Sequence, residues 1–198
     1  MSEYISNYEF YYERFLIKNY NAKVVLSMMK ISNGNRRSTF TVAQLSKMSG
    51  ESITKVRSAI YRMIDDYMIN KLKIELIPAE YKSNELFTVQ FPYDLENFSF
   101  LYENEINDLL ELDDNEIKVF LMLFGFTKNS DEFKSKGLKQ IFIGIDTISL
   151  YSGVKNLNTL TSIIKSLENK KYIKVIDKGN NIKKKNTKYE IIKDYKIR

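Results

Sequence analysis

The sequence predicts an α+β fold, mainly α, in which one small unit of three helices and a β-hairpin is written twice. Three observations predict it. Thr41 to Gly50 (TVAQLSKMSG) reappears in outline as Gly144 to Gly153 (GIDTISLYSG), with Val42, Leu45, Met48 and Gly50 matched by Ile145, Ile148, Tyr151 and Gly153. Each stretch is followed by a polar turn and a helix with an apolar stripe, Ile53, Val56, Ile60 and Met63 in one copy and Leu157, Leu160, Ile164 and Leu167 in the other. A strand-turn-strand pattern then closes each copy. The offset is 103 in the first stretch (153 against 50) and 104 in the helix (157 against 53), so the second copy has one more turn residue. Self-similarity over so long a period signals a duplicated domain.

The elements follow in order. Residues 4 to 20 are rich in Tyr and Phe, with Ile5, Tyr8, Tyr12 and Phe15 at helical spacing. This N-terminal aromatic extension is expected either to cover its own domain or to form a homodimer contact, since aromatics are enriched at interfaces. Val24, Val25, Leu26, Met28 and Met29 predict a first helix from Ala22, ending at the Asn33-Gly34-Asn35 turn. Its counterpart is Ile117, Val119, Phe120, Leu121, Leu123 and Phe124, entered through Asp113 and Glu116 at capping-box spacing. The second copy then has a loop eight residues longer, holding Lys134, Lys136 and Lys139.

Short extended pieces, Thr39 to Thr41 and Ile141 to Ile143, precede the second helices, and Thr41 with Gln44 has the spacing of another capping box. The third helix of the first copy is expected from about Ser52 to Met68. The hairpins are expected as Ile69 to Ile77 with Leu86 to Phe91, and Tyr172 to Ile176 with Tyr189 to Ile192. The expected boundaries are residues 1–92 for the extension plus first domain, 93–112 for an acidic linker with a short helix, and 113–198 for the second domain.

Composition narrows the chemistry. There is no Cys and no His, which removes thiolate zinc sites, thiol nucleophiles and serine-histidine pairs. No glycine-rich phosphate loop or supported carboxylate pair is present, so the expectation is a protein that is not an enzyme and needs no cofactor and no metal. Without cysteine there is no disulfide framework. No apolar run reaches the roughly 18 residues of a membrane span, and the N-terminus lacks a signal-peptide layout. A cytoplasmic, nucleoid- or plasmid-associated protein with no membrane partner is expected.

The net charge of +6 conceals an imbalance. Residues 94 to 116 hold nine acids and no Lys or Arg, leaving the other 175 residues with 31 bases against 16 acids, a net of +15. Such an excess is the footprint of a protein that neutralises phosphates.

The order helix, short strand, helix, turn, helix, hairpin is that of a winged helix-turn-helix. The stretch Ile141 to Ile148, then Leu160 to Leu167 and Lys171-Tyr172-Ile173-Lys174-Val175, resembles the winged-helix domains of plasmid and phage replication initiators and related regulators. The first copy, Phe40 to Gly50 and on to Tyr67-Met68-Ile69, is similar to the same family. The resemblance spans about residues 21 to 91 and 113 to 192. It implies two tandem winged helix-turn-helix domains, each a three-helix core with a β-hairpin wing, whose third helix enters the DNA major groove.

The candidate reading residues are Thr54, Lys55, Arg57, Ser58 and Arg62 in the first copy, and Asn158, Thr159, Thr161, Ser162 and Lys165 in the second. Arg and Lys suit guanine O6 and N7, whereas Asn suits adenine N6 and N7, so two half-sites of unequal sequence are expected. In the second hairpin, Lys178, Lys183, Lys184, Lys185 and Lys188 surround a flexible Gly179-Asn180-Asn181 tip suited to the phosphate backbone or the minor groove. The function expected is sequence-specific binding of double-stranded DNA, in replication initiation or in transcriptional or mobile-element regulation. The alternative is a protein-interaction module of a chromosome-segregation-type or replication complex. Inverted and direct half-sites both remain open.

Overall fold

The computed structural model describes residues 10–32, 36–66, 73–76, 82, 84–91, 98–127, 130–177 and 186–195. The fold is α+β and mainly helical, with small antiparallel sheets, and the chain divides into two compact units, Met1–Glu111 and Leu112–Arg198. No described helix is long and apolar enough to cross a membrane.

The first unit opens with β1 (Phe10–Glu13) and α1 (Arg14–Asn19). The helical spacing read across Tyr12 thus gives way to a strand, because β1 finds a partner 91 residues away: it pairs antiparallel with β5 (Phe98–Leu101), Phe10 opposite Leu101. The extension therefore pairs within its own unit. Helix α2 (Ala22–Lys30) is capped by Asn21, whose side chain accepts from Val24 N, and buries Val24, Val25, Leu26, Met28 and Met29 as its stripe requires. The turn expected at residues 33–35 lies outside the described residues.

Strand β2 (Arg37–Thr41) leads into α3 (Val42–Ser49), where the Thr41 hydroxyl accepts from Gln44 N at 3.0 Å. Helix α4 (Ile53–Asp65) begins at the Ser52 cap and ends at Asp66; residues 67–68, expected to continue it, lie outside the described residues. The sheet adds β3 (Lys73–Leu76) and β4 (Leu86–Gln90) in the order β2-β4-β3, and Phe40 stacks on Phe87 across β2 and β4 at 5.9 Å.

Residues 93–112, expected as a linker, largely join this first unit instead. They supply β5 and then α5 (Glu103–Leu110), which buries Ile106 and Leu109 and packs on α2. Lys30 Nζ donates to Asn107 Oδ1 at 2.5 Å and lies 3.8 Å from Glu103 Oε1. The acidic helix thus sits beside a base of its own unit.

The second unit repeats the plan. Helix α6 (Asp114–Thr127) is apolar around most of its circumference and forms the centre of the core, burying Ile117 and every residue from Val119 to Gly125. Phe120 meets Tyr172 and Tyr195 edge-on at 5.2 and 5.4 Å. The longer loop expected after it contains α7 (Asp131–Lys136), capped by Ser130 and closed by Gly137 at φ +67°. There follow β6 (Gln140–Gly144), α8 (Ile145–Ser152), α9 (Leu157–Asn169), β7 (Ile173–Asp177) and β8 (Asn186–Ile191). The sheet order is β6-β8-β7, the same as β2-β4-β3.

The duplication extends to irregularities. The β3–β4 pairing skips a residue between Ile74 and Leu76, and β7–β8 skips one between Val175 and Asp177, an offset of 101 at both positions. Each hairpin is therefore bulged at the same place.

Candidate nucleic-acid interface

Both units present the same strand, helix, turn, helix and strand pair, so the geometry of that turn comes first. Helix α3 ends at Gly50 with φ +69°, and α8 ends at Gly153 with φ +77°. Glycine suits this left-handed conformation. In the first unit Ser46 Oγ donates to Glu51 O at 2.7 Å and the Ser49 hydroxyl accepts from Glu51 N; in the second, Ser149 Oγ donates to Val154 O at 2.9 Å and the Ser152 hydroxyl accepts from Val154 N. Ser46 and Ser149, like Ser49 and Ser152, are again 103 apart. These four serines, which apolar matching passes over, fix the direction in which α4 and α9 leave the turn. Their signal in the sequence is a repeated Ser-x-x-Ser-Gly.

Helix α9 is entered one residue later than α4, at Asn156, whose side chain accepts from Asn158 N and Thr159 N. Ile53 and Leu157, counted in the apolar stripes, are 42% and 45% exposed. Each is the first residue of its helix, where the stripe has run past the core.

On α4 the candidate readers Thr54, Lys55, Ser58 and Arg62 are exposed, but their chemistry differs. Lys55 Nζ pairs with Glu51 at 3.1 Å. Burial raises the Glu51 carboxyl, and hydrogen bonds from Lys55 and Asn21, with the charges of Lys55 and Lys23, outweigh it and leave the group below its usual range. Arg62 Nε is 4.0 Å from Asp66, with the guanidinium 5.9 Å from the centre of the Tyr20 ring; Tyr20 in turn donates to Asp66 at 3.1 Å. Two of the three cations therefore face carboxylates of their own unit. Arg57, half-buried, has no such pairing among the described residues, and its Nε is buried without a hydrogen-bond partner.

No protein-family model matches the chain, and no curated protein matches it.

On α9 the candidates Asn158, Thr159, Thr161, Ser162 and Lys165 are all exposed. Thr161 Oγ1 donates to Leu157 O at 2.8 Å and Ser162 Oγ to Asn158 O at 3.0 Å. Ser166, one turn on, is structural: it donates to Glu116 at the start of α6. Lys188, placed in the wing turn by the sequence pattern, instead sits within β8, opposite Phe142 of β6, with Nζ 4.9 Å from the ring centre. The tip residues Lys183, Lys184 and Lys185 lie outside the described residues.

Placing the acidic helix in the first unit changes the electrostatics. Met1–Glu111 carries 13 Lys and Arg against 15 Asp and Glu, a net of −2, whereas Leu112–Arg198 carries 18 against 10, a net of +8. The basic excess is thus carried by the second unit, and the first is nearly neutral. Among the described residues no group of three or more Asp, Glu, His or Cys is placed to hold a metal ion.

Proposed function

We propose that each unit is a winged helix-turn-helix domain and that the chain binds double-stranded DNA sequence-specifically, without enzymatic activity of its own. What carries the reading is the repeated strand-helix-turn-helix-hairpin, with the order β2-β4-β3 matched by β6-β8-β7. In such a domain the helix after the turn lies in the major groove and the hairpin flanks the backbone. Here α4 and α9 are those helices, and the net +8 of the second unit supports phosphate attraction there. The role is replication initiation or transcriptional or mobile-element regulation.

The first unit also favours a second reading. Its net of −2 and its self-paired cations suit a protein-interaction surface in a replication or segregation complex. A salt-titrated binding assay on duplexes from the protein's own genetic neighbourhood separates the two. Sequence-specific binding predicts a preference over random duplex and an affinity falling steeply with salt. Equal affinity for all duplexes, with salt-insensitive capture of a protein, would overturn the DNA reading.

A further inference from the structure

We infer that α9 of the second unit reads A·T base pairs and turns away the guanine edge. This rests on the DNA-binding reading above and adds which bases the second copy accepts. In the major groove guanine offers two acceptors, O6 and N7, and a protein that selects it must bring donors. Beyond the Asn158 amide and the Thr159 hydroxyl, helix α9 is poor in them. Thr161 and Ser162 have one hydroxyl proton each, and both protons are donated backwards, to Leu157 O and Asn158 O. Towards the groove these hydroxyls have only lone pairs to offer. No arginine occurs from Leu157 to Asn169. Lys165 is eight residues beyond the helix start, about 12 Å along the axis, past the N-terminal turn that reaches base edges.

What the helix does present fits adenine and thymine. The Asn158 amide has no hydrogen-bond partner among the described residues and stands in the first turn, where it can pair bidentately with adenine N7 and N6. The acceptor-only hydroxyls of Thr161 and Ser162 suit the adenine amino group. Leu157, 45% exposed, and the Thr161 methyl give a thymine C5-methyl an apolar contact. Thr159 is compatible with either base pair. The first copy contrasts at the matching position, where Arg57 stands in place of Thr161.

The test selects duplexes from a randomised-core pool with the full-length chain. It then measures the selected duplex against Asn158→Ala and Thr161→Arg variants and against the same duplex carrying deoxyuridine for thymine. Expected are selected A·T steps, loss of about tenfold discrimination at one adenine in Asn158→Ala, and a gain of guanine preference in Thr161→Arg. Removing each contacted thymine methyl weakens binding about fourfold. Guanine selected at the position that Asn158→Ala alters, or affinity indifferent to uracil substitution, overturns the inference and leaves DNA binding standing. Retention of no duplex at low salt overturns both.

Discussion

Lys170 Nζ lies 2.7 Å from Glu116 Oε2, and the Glu116 side chain is only 4% exposed. The same carboxylate accepts from the Ser166 hydroxyl and from Asp113 N, so it joins the start of α6 to the last turn of α9. Half the arrangement is the capping box visible at Asp113 and Glu116. The other half holds the proposed reading helix against the central helix of its unit.

Glu116→Gln is expected to destabilise the second unit by about 2 kcal/mol, the scale of a hydrogen-bonded charge losing its partners. Burial raises the Glu116 carboxyl, but the bonds from Lys170, Ser166 and Asp113 N, with the Lys170 charge, outweigh it and lower the group below its usual 4.5. A carboxyl lowered on folding contributes stability that is present above 4.5 and lost as pH falls through the folded value. Urea unfolding of wild type should therefore weaken below pH 4.5 more steeply than that of Glu116→Gln; parallel pH profiles would refute the role.

Ser46→Ala and Ser149→Ala are expected to cost about 1 kcal/mol each, because each leaves a turn carbonyl without its hydroxyl donor. Similar costs measured by denaturant unfolding would mark the two turns as equivalent. A negligible effect at both sites would show the hydroxyl bonds to be idle.

Lys171 holds φ +60° just after α9, with its N bonded to Glu168 O and Tyr172 N bonded to Leu167 O. This is the Schellman pattern, in which glycine is the favoured residue. Lys171→Gly should raise stability by about 1 kcal/mol, visible as a higher melting temperature.

Arg57→Ala should relax base preference in DNA binding, whereas Lys55→Ala and Arg62→Ala should leave it nearly unchanged, because those two cations already face Glu51 and Asp66. The loss at Arg57 is expected to be about 1–3 kcal/mol at a single base position. Equal effects from all three substitutions would show that the internal pairing does not matter.

Replacing Lys183, Lys184 and Lys185 together should weaken binding to every duplex alike and lower the salt slope by about 0.9 for each phosphate no longer neutralised. If the triple variant binds with an unchanged slope, the second hairpin does not grip the backbone.

Much of the fold was legible because it is periodic. The stripes of α2 and α4 and the alternating Ile141 and Ile143 announce their elements locally. The pairing of Phe10 with Leu101 does not, since it is made across most of the first unit, and it is this pairing that puts the acidic segment with the first copy. Helix α7 escaped because six residues give too little period, with Phe133 its one large apolar side chain. At the candidate interface the residue types and their exposure could be read ahead of the structure. The i,i+4 spacing of Glu51 to Lys55 and of Arg62 to Asp66 was also there to be read, but whether each pair closes depends on the folded turn and helix end.

The shared bulge gives the two hairpins the same local shape. Each hairpin skips one residue at the same place, Ile74/Leu76 and Val175/Asp177, so both carry the unpaired residue, the bend and the added right-handed twist that a bulge brings. Against that shared detail, α7, the extra turn residue before α9 and the division of charge are where the two units differ.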